Sequence, residues 1–250
     1  MKAITKKISL LLMLSAVLFL SSCLDSGSNS YIGNEEYSYI TSSQTSGTVY
    51  ARTLAGYLIT SPKIQQLTPG TAAFLTYQVT EETPTVALED NMIAYKVNLG
   101  GEPIIIDQTV LQMTTAPDVP AVNFESIMDP LYAQNQLFGD LWLFPYTYKI
   151  KKGERVTVQF YKANAEESEQ SSQNDVLIDV RLTKTGTPEA NATDKVEGDY
   201  VVANMSSLRM MMADKADANG NLNIKFRYYR ADPEGLYTSS KTYTIIIDKK

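Results

Sequence analysis

Catalysis and metal binding draw on a short list of side chains, and this chain lacks one of them and almost lacks another. Its 250 residues contain no His and a single Cys, Cys23. Without imidazole there is no His-based nucleophile relay and no His-ligated metal. A lone thiol closes no intramolecular disulfide and builds no Cys-rich zinc site. What remains is oxygen chemistry from 28 Asp and Glu. Two facing carboxylates suffice for glycoside hydrolysis. Here the acids fall mainly in turns or in the run AEESEQSSQND, where Glu166, Glu167 and Glu169 read as a solvated hairpin loop. The segment DKADANGNL alternates Asp217, Asn219 and Asn221 around Gly220, as a calcium loop would. An EF-hand loop needs a ligand where Lys215 stands and a carboxylate where Phe226 stands, and both fail. No Ser-x-x-Lys with supporting motifs occurs. The residue inventory therefore predicts no catalytic constellation, no metal site and no cofactor.

The context of Cys23 gives it a different use. Lys2, Lys6 and Lys7 form a basic start, Ile8 to Leu20 is a nearly unbroken apolar run, and Leu20-Ser21-Ser22-Cys23 follows. The run is short for a membrane span, which needs about 20 residues, and suits the apolar region of a signal peptide. Leu20 to Cys23 resembles the bacterial lipobox: a branched apolar residue, two small residues and Cys. The resemblance implies cleavage before Cys23 and lipidation of its thiol. Each buried methylene of an acyl chain contributes about 0.8 kcal/mol, so several chains hold a protein on a membrane without a spanning helix. The expected location is the cell envelope, lipid-anchored, on the outer membrane, with the face left open. The net charge of −6 becomes more negative once the three leader lysines are removed.

Aromatic residues are the remaining means of contact, because rings offer large area at low entropic cost. Trp142, Phe144, Tyr146 and Tyr148 alternate within DLWLFPYTYKI and share one face of a strand. Exposed, Trp142 and Tyr146 would form a stacking platform. Buried, they are core, which the opposing Leu141 and Leu143 favour. A second candidate patch is Tyr228, Tyr229 and Arg230 in FRYYR, expected to be the more exposed because Arg227 and Arg230 flank it.

The elements that would carry these residues are strands. Apolar residues alternate in Glu154 to Tyr161, Val176 to Leu182, Leu222 to Tyr229 and Lys241 to Asp248, with further candidates at Leu141 to Lys149 and Tyr200 to Asn204. Period two with one apolar face predicts half-buried antiparallel strands, here an antiparallel sandwich over residues 141–250. It should bury Val156, Val158, Phe160, Ile178, Val180, Ile224, Phe226, Ile245 and Ile247. Asn219-Gly220 is a hairpin-turn signal, and Ser206 to Met212 predicts a short helical turn capped by a serine hydroxyl. Thr48 to Ile59, Ala72 to Thr80, Met92 to Leu99 and Pro103 to Met113 predict a small barrel over 48–113. Pro117 and Pro120 mark a linker over 114–140, and residues 23–47, after a signal peptide over 1–22, read as a lipidated Cys and flexible tether. The fold class is all-β.

That layout, with GTVYARTLAGYLITSPKIQQLTPGTAAFLTYQV, YKVNLGGEPIIID, DVLIDVRLTKTG and YVVANMSSL, resembles the NigD-like lipoproteins of the Bacteroidetes. The resemblance implies an N-terminal OB-like barrel, a C-terminal β-sandwich and a role in bacteriocin immunity. One departure is that no His stands in the sandwich half, where the family often has one. OB barrels often bind single-stranded nucleic acid. Here Arg52, Lys63 and Lys96 face Glu35, Glu36, Glu81, Glu82, Glu89, Asp90, Glu102 and Asp107, the wrong balance for a phosphate groove. The expected partners are the membrane, through Cys23, and an envelope protein or glycan, with no nucleic acid. The expected role is non-enzymatic binding. The alternatives are a structural or accessory subunit of a surface assembly, pairing through an edge strand, and a carboxylate-based envelope hydrolase.

Overall fold

The computed structural model describes residues 30–89, 92–118, 122–163 and 175–247. Cys23, its leader and the acidic run at Glu166–Glu169 lie outside them. Among the described residues, one compact unit comprises those up to Gln108 together with Leu137–Leu141, and the other comprises Thr109–Gln136 and those from Trp142 onward. No helix among them is long and apolar enough to cross a membrane.

The first unit is an OB-like barrel. Its strands are β1 (Ser30–Ser42), β2 (Val49–Thr53), β3 (Leu58–Thr60), β4 (Ala72–Thr80), β5 (Thr85–Ala87), β6 (Ile93–Lys96) and β7 (Ile104–Ile105). β1, β2 and β3 form an antiparallel meander, β6 lies parallel to β3, and β4 lies antiparallel to β1. The barrel closes beyond β6: Leu99 bridges Tyr77, and the Gly100 N–H donates to Thr76 O at 2.7 Å. The circuit β1-β2-β3-β6-β4-β1, with β3 and β6 parallel, is that of an OB fold. Ile40, Ala51, Ile59, Ala73, Leu75, Val79 and Val97 fill it. A 3-10 turn, Ile64–Gln66, lies between β3 and β4 and buries Ile64 completely.

Two expectations are corrected here. Ser30–Ser42 is the longest barrel strand, not tether. Its alternation is broken by a bulge between Gly33 and Glu36, so the apolar period does not show in the sequence. Thr48 to Ile59 is two strands, separated at Gly56, whose φ of 90° lets the chain reverse.

The second unit is the sandwich. One sheet runs β8 (Gln108–Val110), β13 (Lys195–Asn204), β10 (Leu141–Ile150), β9 (Ser126–Ile127). The other runs β11 (Glu154–Lys162), β12 (Asp175–Gly186), β14 (Asn221–Ala231), β15 (Glu234–Thr238), with β16 (Tyr243–Ile246) also on β14. Of the predicted core, Val158, Phe160, Ile178, Val180, Ile224, Phe226, Ile245 and Ile247 are buried, and Val156 packs against them half-buried. β12 and β14 pair in parallel, an exception to the antiparallel expectation.

The expected linker is instead a strap on the sandwich. The Gln112 N–H donates to Phe160 O at 2.9 Å, Val122 bridges Leu182, and Phe124 bridges Arg230 and is fully buried. Leu131 exchanges both backbone hydrogen bonds with Leu143. The last part, Leu137–Leu141, belongs to the barrel unit, where the Tyr37 hydroxyl donates to Leu141 O at 3.3 Å. Prolines spaced through this segment imitate a linker, but Val122, Phe124, Ile127 and Tyr132 pack on the sandwich core.

The helical turn is α1 (Ser206–Met211). No serine caps it; the Ser206 N–H donates to Asn204 Oδ1 at 3.0 Å. Asn219-Gly220 makes a turn but no hairpin, since it joins a 3-10 turn, Ala213–Lys215, to β14. Asp217 organises it by accepting the Asn219 and Asn221 N–H groups, both at 2.8 Å.

Candidate binding surfaces

Burial decides the first aromatic candidate. Trp142 and Tyr146 are 0% and 5% exposed. Trp142 stacks on Tyr132 at 4.0 Å between ring centroids and meets Phe226 and Tyr243 edge-on. Tyr146 stacks on Tyr148 at 5.5 Å. Both belong to the sandwich core, so the platform reading is corrected.

Strand geometry divides the second. Successive side chains of β14 point to opposite faces. Tyr228 turns to the core side and packs edge-on against Phe124 and Tyr237, and Arg230 lies over the Tyr237 ring at 4.1 Å. Tyr229 turns to the other face, where the Arg181 guanidinium covers it at 5.0 Å. The three residues are therefore half-buried on two faces and form no single patch. Arg227, expected to flank them in water, is 8% exposed and grips Asp179 with two hydrogen bonds of 2.6 and 2.9 Å. Partners displaced these groups from solvent: two like-facing residues of opposite charge, adjacent in the parallel register, neutralise each other.

A third surface lies in the barrel and spans several strands. Tyr31, Tyr57 and Tyr95 are half-buried and packed on the barrel core. Tyr31 lies 4.9 Å from Tyr57 and 6.0 Å from Tyr77, and Tyr57 lies 5.9 Å from Tyr95. The β1 bulge sets Glu36 among them. Its Oε2 accepts from the Tyr31 hydroxyl at 3.0 Å and the Tyr77 hydroxyl at 2.7 Å, and its Oε1 accepts from the Ala55 N–H. Burial, then the Glu36 charge and hydrogen bond, push the Tyr31 phenol up to about 12. Burial also raises Tyr77, with a hydrogen bond to Thr53 opposing and Glu36 adding to the rise. These phenols stay neutral across the physiological range. Glu36 pins the bulge, the β2–β3 turn and two rings together, and the rings of Tyr31, Tyr57 and Tyr95 stay partly exposed. The sequence offered only one signal of this cluster, the 16 Tyr, which the β reading absorbed.

An open groove of about 610 Å³ lies between the β10–β11 turn and the β12–β13 connection, with Lys151, Lys152, Glu154 and Glu189 in its lining. Lys152 and Glu189 pair at 2.7 Å in solvent. Among the described residues, no group of three or more His, Cys, Asp or Glu is placed to hold a metal ion.

No family model matches the chain, and no curated protein sequence matches it. Solved structures do. An uncharacterized protein from Parabacteroides merdae aligns with a TM-score of 0.56 at 12% identity, over 86% of this chain and 99% of its own. A candidate lipoprotein from Bacteroides fragilis aligns with a TM-score of 0.54 at 14% identity, over 88% of this chain and 99% of its own. The chain shares their fold. The structural neighbours also include a NigD-like immunity protein from Bacteroides caccae, at a TM-score of 0.42 and 12% identity, over 90% of this chain and 100% of its own.

Proposed function

We propose that this protein is an envelope-anchored bacterial lipoprotein that acts by binding an envelope protein or glycan rather than by catalysis. The observation that carries the reading is the placement of Cys23. It ends a basic and then apolar leader, and only six residues separate it from β1. The fold held in common with a candidate lipoprotein from Bacteroides fragilis supports the anchor. The missing imidazole and the commitment of Glu36, Asp179 and Asp217 to internal hydrogen bonds support binding over turnover. Bacteriocin immunity at the outer membrane is the specific form of this role that the sequence resemblance supplies.

Expression with labelled palmitate in a Bacteroides host tests the reading. Label should enter the wild-type chain and not Cys23→Ser, and the variant should leave the membrane fraction or persist as precursor. Label in the Ser variant would sink the anchor. Hydrolysis of envelope glycan or peptide by the chain, with or without divalent cations, would favour the carboxylate hydrolase instead.

A further inference from the structure

The strand registers place several chain segments at one end of the barrel. β1 begins there, β4 ends there beside it, and β2 turns into β3 there. β6, parallel to β3, starts there too. At this end Ile32, Leu54 and Ile93 are 64%, 42% and 48% exposed. Just inside them stand the half-buried rings of Tyr31, Tyr57 and Tyr95. Ile93 precedes Tyr95 by two residues, so it continues the inward face of β6 past the rim, where no core remains to cover it. The opposite end is closed by the Ile64–Gln66 turn, whose outward residues Gln65 and Gln66 are polar and exposed.

The anchor chooses between the ends. Residues 24 to 29 join Cys23 to β1, and the seven steps from Cys23 to Ser30 span at most about 25 Å when fully extended. The end where β1 begins is the end held at the bilayer. Aliphatic side chains backed by tyrosines suit a lipid–water interface, where aromatic rings with polar tips gather at headgroup level; the Tyr31 hydroxyl is held by Glu36, so this contact falls to Tyr57 and Tyr95. Glu35, Glu81 and Glu82 lie at the same end and disfavour an anionic surface.

We infer that the open, tyrosine-rimmed end of the barrel is a membrane-contact surface that rests on the zwitterionic headgroup region of the bilayer holding the anchor. The inference rests on lipidation of Cys23. It gives the barrel a fixed orientation, with the Ile64–Gln66 end turned away from the lipid.

The test uses the full lipidated chain in phosphatidylcholine vesicles that carry a nitroxide on a fraction of their headgroups. Lipidation consumes the only native thiol, so Ala55→Cys in the β2–β3 turn and Gln65→Cys at the far end each give one site for a fluorophore; both positions are exposed. The Ala55 probe should be quenched several-fold more than the Gln65 probe. Introducing Ile32→Asp with Ile93→Asp should bring the ratio close to one while the protein still floats with the vesicles. A ratio near or below one in the parent, or a ratio that survives the double substitution, overturns the contact surface and leaves the anchor standing. Absence of labelled palmitate at Cys23 overturns the anchor, and the contact surface with it.

Discussion

The barrel interior is mostly aliphatic, whereas the sandwich threads a chain of packed rings through its aliphatic core. Ile40, Ala51, Ile59, Ala73 and Leu75 meet across a five-strand circuit, with the buried Tyr77 ring toward its open end. Trp142 and Phe144 on one sheet meet Phe160 and Phe226 on the other, with Phe144 4.9 Å from Phe160 and 5.0 Å from Phe226. The placement of charge differs as well. The barrel holds Glu36 at its open end under two phenols, and the sandwich buries Asp179 and Arg227 on the face away from its core. A buried charge persists where donors already converge on it, whichever architecture surrounds it.

The strongest way to break that comparison is to remove a ring. Trp142→Ala should cost about 3–5 kcal/mol in chemical denaturation, since the cavity it leaves is walled by other rings. Trp142→Phe should cost on the order of 1–2 kcal/mol: most of the area is kept, and an indole N–H buried without an acceptor is removed. Equal losses would mean that the tryptophan acts through its polar atom rather than its size.

The charge pair gives the next largest effect. Arg227→Met should cost about 3 kcal/mol because it removes both short hydrogen bonds from the Asp179 carboxylate, which is 4% exposed, and leaves it the looser Arg181 contact at 3.7 Å. Adding Asp179→Leu should restore most of the loss, and a thermodynamic cycle measures the recovery. If the single substitution is harmless, water reaches Asp179 and the sandwich face is wetter than its burial implies.

The barrel answers to a smaller change. A Cβ on Gly33 would stand 2.3 Å from the Tyr77 ring, so Gly33→Ala should cost about 1–3 kcal/mol by overpacking. Gly101→Ala, with nothing within 4 Å of its Cβ, should leave the melting temperature unchanged.

The smallest effect is a dependence on pH that both units share. Tyr31 in the barrel and Tyr148 in the sandwich are each pushed up to about 12, chiefly by burial. A phenol held above its ordinary value binds its proton more tightly in the folded state. Its contribution is therefore complete below about pH 10 and is lost as the pH rises through 12. Glu36→Gln should lower the barrel phenols and leave Tyr148 where it is, which absorbance titration near 295 nm resolves. A matching shift in Tyr148 would mean that the substitution loosens more than the barrel mouth.

Legibility in the sequence followed strand regularity. The period-two runs around Val158, Ile178 and Ile224 predict the sandwich core because a long, unbroken strand shows its buried face directly. β1 escaped because its bulge shifts the period between Tyr31 and Ile40, and the short β2 and β3 merged because Gly56 was the only break between them. The strap at Val122 and Phe124 escaped because single-residue bridges have no period. The binding surfaces were harder to read still. Arg227 and Asp179 are polar residues at alternating positions, which is the pattern of a solvated face, and only their adjacency in a parallel register reveals a buried pair. The tyrosine cluster joins β1, β3, β4 and β6 through closure of the barrel, a relation that local sequence does not contain.

The strap also sets a timetable. A chain made from its N-terminus delivers β1 to β6 within its first hundred residues, and the circuit of the barrel can form from them. The sandwich must wait. The Phe124 N–H donates to Tyr229 O and the Phe124 carbonyl accepts from the Ala231 N–H, and the edge of β14 is finished only by Tyr243–Ile246. Contacts so distant along the chain close slowly. Until then the strap's apolar residues wait for their partners, so the longest period of exposure belongs to the sandwich and ends only with the last strand.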